Sequence, residues 1–519
     1  MFILPELPKL QDYVVIIPEI CITLTAFVIM MYDAFSSQDR RRDAGVIALA
    51  GIIGAGGGLL RLWNAPEYTA FGGMFVSDQL RLYFVLIFLV VAALAVLASM
   101  QFLDDERLPP GEFYTLLMFA TVGMMLMAAA GDLATLFLGL ETLSITTYVL
   151  AGYRRGDVRS NESALKYFIL GSFSTGFLLY GIALTYGATK TTNLARIHDA
   201  ILTGDITSMP LLMMGAAMML IGLSFKVATV PFHLWTPDVY QGAPTAVTAF
   251  MAAGPKAAAF VAFLRVFVEA FAQDTVLFGT SSANTGGNLY STWTSAVVII
   301  AIMSMIIGNV VAITQTNIKR MLAYSSIAHA GYGMVGILGN DWKPVAFYML
   351  AYAVTSMGAF TVISLLARQG DEKTEIDDFA GIGFQNPGLS VLLMIFLLSL
   401  GGIPLTAGFI GKFVVFKQAW FAGYQPVVII GVLTSAVSLY YYLRPLVVMF
   451  FQNREGEYVP PRISFESGVA LAAALLLVFG LGVYPEPLLK NKDKEAPAAA
   501  AQYQSPVEKG DSAWATASK

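Results

Sequence analysis

Residues 222–245 read GLSFKVATVPFHLWTPDVYQGAPT, and the fold turns on how that stretch crosses a membrane. The apolar run that enters it carries a lysine, Lys226, and then meets Pro231 and Pro237 where a helix would have to continue. Proline removes a backbone donor and clashes with the preceding turn, so the helix is expected to break here. A second span has the same defect. From Gly388 to Ala422 the apolar run would be ~52 Å long as one helix at 1.5 Å per residue, against a hydrocarbon core of roughly 30 Å. Its middle, LGGIPLTAGFIGKF, holds Gly401, Gly402, Pro404, Gly408 and Gly411, and again a lysine, Lys412. Interrupted helices at matching places in two halves point to inverted repeats with an ion site at the break.

The rest of the chain agrees with a bilayer setting. Of 519 residues, 57% are apolar and only 13% charged, about half the charged fraction of a soluble domain, ~25%. The net charge of −4 and the lack of a long basic run exclude nucleic acid as a partner. Cys21 is the single cysteine, so neither a disulfide framework nor a thiolate metal site is available within the chain. The opening MFILPELPKLQD lacks the basic lead of a secretory signal, and the apolar run after it is expected to be a retained helix.

A window of about 19 residues marks about fourteen transmembrane helices, which defines an all-α polytopic membrane protein. Residues 1–111 would hold three N-terminal helices, 112–271 a first repeat (helices four to eight), 293–451 a second (helices nine to thirteen) and 464–484 the last helix. The broken spans are the seventh and twelfth. An odd number of helices per repeat inverts the second five-helix copy. Residues 485–519, rich in Ala, Lys and Glu, read as a disordered tail. Alternate loops hold Arg40 to Arg42, Arg154, Arg155, Arg159, Lys319, Arg320, Arg368 and Arg454, while the opposite loops hold chiefly Arg61, Lys190, Arg196 and Lys343. That bias places both termini on the outer side.

Four ionisable groups interrupt these spans: Glu141, Lys226, Lys256 and Lys412. A charge at mid-membrane costs roughly 2.5 to 3.5 kcal/mol on insertion scales, so such groups mark a proton or ion path by default. Burial disfavours an ammonium and a nearby carboxylate favours it, so moving a carboxylate's influence loads or unloads an amine. Lys226 is the first choice of partner for Glu141. Lys256, in MAAGPKAAAFVAF, has small neighbours that leave room for water and makes a middle station; Lys412 makes the far end. Lys166, at a helix start, is a weaker candidate that the headgroups could also account for. His329, in AYSSIAHAGYG, and His233, which could simply satisfy carbonyls freed by the kink, are weaker as well. Tyr440, Tyr441 and Tyr442 with Arg444 read as an interfacial belt, with a polar lining as the alternative.

The stretch KVATVPFHLWTPDVYQGAPTAVTAF resembles the signature of the antiporter-like subunits of respiratory complex I, and LWTPDVYQGAP is most similar to the subunit N branch, the bacterial counterpart of mitochondrial subunit 2. LFLGLETLSITTYVLAGY around Glu141, SNESALKYFILGSFSTGFLLYG around Lys166, NIKRMLAYSSIAHAGY around His329 and IPLTAGFIGKFVVF around Lys412 extend the likeness over about residues 112–450. The resemblance implies a proton-translocating, non-redox subunit of NADH:quinone oxidoreductase in the bacterial inner membrane. In it Glu141 pairs with Lys226, Lys256 links two half-channels and Lys412 is terminal. It implies other membrane-arm subunits as partners, with NADH, FMN, iron–sulfur clusters and quinone elsewhere in the complex and no cofactor on this chain. Alternatives are a subunit of a cation (sodium)/proton antiporter, the related plastoquinone-reducing photosynthetic complex, and a passive spacer.

Overall fold

The computed structural model describes residues 8–35, 42–272, 286–367, 373–453 and 460–489. The tail expected to be disordered lies outside the described residues from 490 onward, as do Arg40, Arg41, Arg368 and Arg454.

The architecture is all-α. Helices α1 (Leu10–Val15), α2 (Ile17–Phe35) and α3 (Asp43–Leu62) precede a small antiparallel hairpin, β1 (Tyr68–Ala70) and β2 (Phe75–Ser77), with Ala70 opposite Phe75. Then come α4 (Gln79–Asp105), α5 (Pro110–Ala129), α6 (Leu133–Ala151), α7 (Val158–Thr189), α8 (Leu194–Thr203), α9 (Met209–Val227) and α10 (Trp235–Gly242). Helix α11 (Thr245–Phe263) runs on into a π-helical stretch, Leu264–Ala270. The remainder is α12 (Gly286–Ile313), α13 (Ile318–Ile337), α14 (Trp342–Ala367), α15 (Ile382–Gln385), α16 (Pro387–Gly401), α17 (Ala407–Phe421), α18 (Gln425–Phe451), α19 (Phe465–Val483) and α20 (Glu486–Leu489). Among the described residues, 12 helices are long and apolar enough to cross a membrane. Helix α13, with Lys319, Arg320 and His329, and the 15-residue pair α16 and α17 are the expected spans outside that set.

Polar residues set the helix starts. Asp78, Asp132, Asp157, Asn193 and Asn317 each accept a backbone N–H from the first turn that follows, which satisfies donors a helix leaves unpaired. At the centre, every residue of α11 from Thr245 to Phe263 is buried, Lys256 and two threonines included, so the helix has no solvent or lipid face.

Both expected interruptions are present. Helix α9 stops at Val227, with Ala228 left-handed (φ 65°), three residues ahead of the first proline. Pro237 does not break a helix. It lies in the first turn of α10, where the missing N–H would have had no partner. Helix α16 stops at Gly401; Gly402 and Leu405 both have positive φ before α17 begins.

Two places in the chain share one local construction. Near the start of α6, Leu133 N donates to Thr192 O and Leu194 N to Gly131 O; near the start of α13, Ile318 N donates to Thr374 O and Ile376 N to Thr316 O. Gly123 of α5 lies against Leu143 N and Gly139 O of α6, and Gly308 of α12 lies against Ala328 N and Tyr324 O of α13. A side chain at either glycine would hold the helix pair apart. The first bridge lies at the end of the bundle that holds the hairpin, since Asn193 Nδ2 donates to Gly73 O. The second lies at the other end, beside Asp238.

Candidate functional site

Lys226, Lys256 and Lys412 are buried, with 8%, 2% and 5% of their surface exposed. Lys226 sits in the last turn of α9, held there by the stop at Ala228. Its Nζ lies 3.3 Å from the Tyr148 hydroxyl and 5.0 and 5.6 Å from the ring centres of Tyr148 and Tyr167. Lys256, at the middle of α11, donates to Ser326 O at 2.6 Å and to Ser326 Oγ, with its Nζ 5.4 Å from the Tyr352 ring centre. Lys412, in the second turn of α17, donates to Gly401 O (3.1 Å) and Ser435 Oγ (2.8 Å) and lies 5.1 Å from the Tyr332 ring centre. None of the three forms an ion pair with a carboxylate among the described residues.

Glu141 is half-buried on the outer wall of α6, flanked by exposed Leu138 and Ile145, and its carboxylate accepts from Thr175 Oγ1 of α7 at 2.8 Å. No ion pair joins it to Lys226 among the described residues. Tyr148, seven residues on, lies two turns further along the same face of α6, and it is Tyr148 that meets the amine. The Tyr148 hydroxyl rests against Gly171, where a Cβ would collide with it.

His329 is buried in α13, with Nδ1 2.7 Å from the Tyr348 hydroxyl and Nε2 3.2 Å from that of Tyr442. Tyr442 also bonds Ser325, the neighbour of the serine that holds Lys256. Lys256, the two serines, Tyr442, His329 and Tyr348 therefore form one nearly continuous polar row. Hydroxyls and imidazole donate and accept at once, so such a row permits proton exchange without any redox group. Tyr440 is 62% exposed, but Tyr441 and Tyr442 are fully buried, so the expectation of an interfacial belt fails for two of the three. Their hydroxyls find Asn309 and Ser325 inside the bundle, which no lipid boundary would supply.

The weaker candidates lie elsewhere. Lys166 has a 42% exposed side chain and pairs with Glu162 (2.7 Å) and Asp238 (2.9 Å), and Asp238 also takes Arg320 (2.7 Å). This network borders an open cavity of about 340 Å³. His233 is half-buried in the turn between α9 and α10, its Nδ1 without a hydrogen bond among the described residues. The sequence reading missed Tyr148, Thr175, Ser326 and Ser435, the groups that touch the charges. For Tyr148 a signal existed: its seven-residue spacing from Glu141. No cluster of His, Cys, Asp or Glu is arranged to hold a metal among the described residues.

Fold and site together define a polytopic membrane protein whose buried amines stand in and beside interrupted helices, the class that includes ion-translocating membrane subunits. The family profile described as "NADH:quinone oxidoreductase/Mrp antiporter, TM" matches residues 130–438. Over 92% of this chain and 95% of the relative, the sequence is 43% identical to NADH-quinone oxidoreductase subunit N of Trichlorobacter lovleyi. The chain belongs to this family, as an antiporter-like membrane subunit of respiratory complex I similar to subunit N. A chain of respiratory complex I from Thermus thermophilus with bound Aureothin superposes with a TM-score of 0.75 at 33% identity, covering 90% of this chain and 97% of that one. A chain of the Mrp complex from Dietzia shares the fold alone, with a TM-score of 0.77 at 19% identity over 92% of this chain and 96% of that one.

Proposed function

We propose that the chain carries protons across the membrane for NADH:quinone oxidoreductase. Quinone reduction elsewhere in the complex shifts the electrostatic balance between Glu141 and Lys226, and the proton held at Lys226 passes by Lys256 to Lys412. The observation that carries this reading is that, among the described residues, three buried lysines are ligated only by neutral oxygens and aromatic faces. An ammonium so placed is free to give up its proton, whereas one locked to a carboxylate is not. His329 with Tyr442 and Tyr348 supplies hydroxyl and imidazole steps beside the middle amine, and the Tyr148 hydroxyl stands on the side of Lys226 that faces back along α6 to Glu141. Lys166 and His233 take no direct part in this route.

Fourteen crossings, ten of them in two inverted five-helix repeats at 112–271 and 293–451, underlie the path. Counting α13 and the α16 and α17 pair as crossings gives that number. The matched bridges at opposite ends of the bundle support the inversion. Arg154, Lys319 and Arg320 gather at the end with Asp238, which supports an inward orientation of that end, with both termini outside. NADH, FMN, iron–sulfur clusters and quinone belong to other subunits, and the neighbours are other membrane-arm subunits. Moving one charge against 100 mV takes about 2.3 kcal/mol, within reach of a buried ion whose neighbours change.

The test is Lys226→Ala and Glu141→Ala in the intact complex, in sealed vesicles. Both variants should assemble and lose most NADH-driven proton uptake and much of the quinone reductase activity. Normal pumping in both would reject the role.

A further inference from the structure

The geometry points to a seal: the stacked rings of Tyr167 and Trp235 close Lys226 off from the charged cavity at the end of the bundle, and so hold back protons between turnovers. This rests on the reading that Lys226 exchanges a proton with the aqueous phase.

The cavity of about 340 Å³ is open to solvent and lined by Ser163 and Lys166 of α7 and by Asp238 and Gln241 of α10. Its floor is a contact between those two helices, where Ser163 Oγ donates to Val239 O at 3.1 Å. Tyr167 follows Ser163 by four residues and Trp235 precedes Val239 by four, so each lies one turn deeper on the same face of its helix. There the two rings stack, centres 4.4 Å apart and planes within 9°. Both residues are nearly fully buried. Phe225 packs on the indole at 5.4 Å, and the indole N–H donates to Phe225 O at 3.0 Å, pinning the stack to the last turn of α9. Beyond Tyr167 comes the Lys226 amine, 5.6 Å from that ring centre.

The order along this line is aqueous cavity, floor contact, stacked rings, amine. A flat stack leaves no room for a water file, the facing ring surfaces carry no group that passes a proton on, and the Tyr167 hydroxyl at the rim turns to Thr147 of α6. Lys226 can therefore exchange with the cavity only when α10 moves relative to α7. Helix α10 is eight residues long and joins α9 through an unwound turn, so on this proposal it is the wall that shifts, at the expense of its bonds to Ser163 and Arg320.

The experiment uses the whole complex in sealed vesicles without NADH, with proton influx driven by a potassium diffusion potential. Trp235→Ala should raise passive influx about fivefold or more and, during turnover, lower the protons taken up per NADH oxidised. Wild-type influx and an unchanged ratio in an assembled Trp235→Ala complex would overturn the seal. Should that variant not assemble, labelling decides. In a Cys21→Ser background, Gln241→Cys in the cavity should react with a small cationic thiosulfonate added from that side, and Ser144→Cys, one turn beyond Tyr148, should not. Equal reaction at both positions overturns the proposal. The outcomes separate from those for Lys226: if Lys226→Ala abolishes pumping while Trp235→Ala leaves influx at the wild-type level, only the seal falls.

Discussion

Two kinds of buried cation share this bundle, and they are held in opposite ways. At the hairpin end, Arg81 is fully buried, with Nη2 2.8 Å from the Glu19 carboxylate and further bonds to Ser77 Oγ and Val15 O. Arg265 likewise spends its guanidinium on Asp78 (2.6 Å), Glu269 (3.0 Å) and Ala128 O. Along the middle of the bundle the three lysines have, among the described residues, no carboxylate in contact and only neutral oxygens for ligands. An arginine stays charged under any condition a protein meets and grips carboxylates with two arms. A lysine is a single point that can release its proton. Burial alone therefore does not set the proposed proton carriers apart from the buried arginines; burial with neutral ligands does.

The comparison breaks most visibly at Arg265. Replacing it with Met strands two carboxylates at a partly closed helix end, where removal of one partner costs ~3–5 kcal/mol. Arg265→Met should cut the amount of assembled complex and lower its unfolding temperature; normal assembly would erase the distinction between fastener and carrier. Lys256→Met should do the reverse, with assembly near normal and NADH-driven proton uptake reduced at least tenfold. Gly171→Ala comes next. Its methyl group displaces the Tyr148 hydroxyl from Lys226, at an overpacking cost of ~1–3 kcal/mol, and pumping should fall severalfold while Lys226 itself is intact. Tyr442→Phe removes the bonds to Ser325 and His329, each worth ~1 kcal/mol, and should slow proton uptake without changing the amount of complex. The smallest effect is expected at Lys166, whose exposed pairs with Glu162 and Asp238 contribute under ~1 kcal/mol. Lys166→Met should leave pumping within about twofold of normal, and a loss as large as that of Lys256→Met would move Lys166 into the carrier group.

Much of this could be read from the chain. The breaks were legible because Pro231 and the Gly401 to Gly411 cluster oppose a continuous helix. The burial of Lys226, Lys256 and Lys412 was legible because they stand out against apolar neighbours, whereas Glu141, read as equally central, is half-buried on the outer wall of α6. The position of the first break was less so: Pro237 reads as a breaker in sequence, yet it is absorbed in the first turn of α10, and the chain actually turns at Ala228. The ligands were not legible at all. Serine, threonine and tyrosine are common in membrane helices, and whether Tyr442 faces lipid or His329 depends on how α18 rotates against α13, which helical periodicity within α18 does not determine. The arginines escaped notice for the opposite reason, since Arg81 and Arg265 lie near span ends where a cation ordinarily reaches for water.

One consequence of the interrupted helices concerns fields. Lys226 lies in the final turn of α9, and Lys412 binds the terminal carbonyl of α16. The Lys412 amine thus faces the negative pole of a half-helix, equivalent to about half an elementary charge, whereas the Lys226 amine reaches from the end of α9 to Tyr148. A peptide dipole is permanent; it does not titrate and no partner chain can withdraw it. The break at Gly401 thereby gives the buried Lys412 a partial compensation for its charge that no change in a neighbouring carboxylate removes.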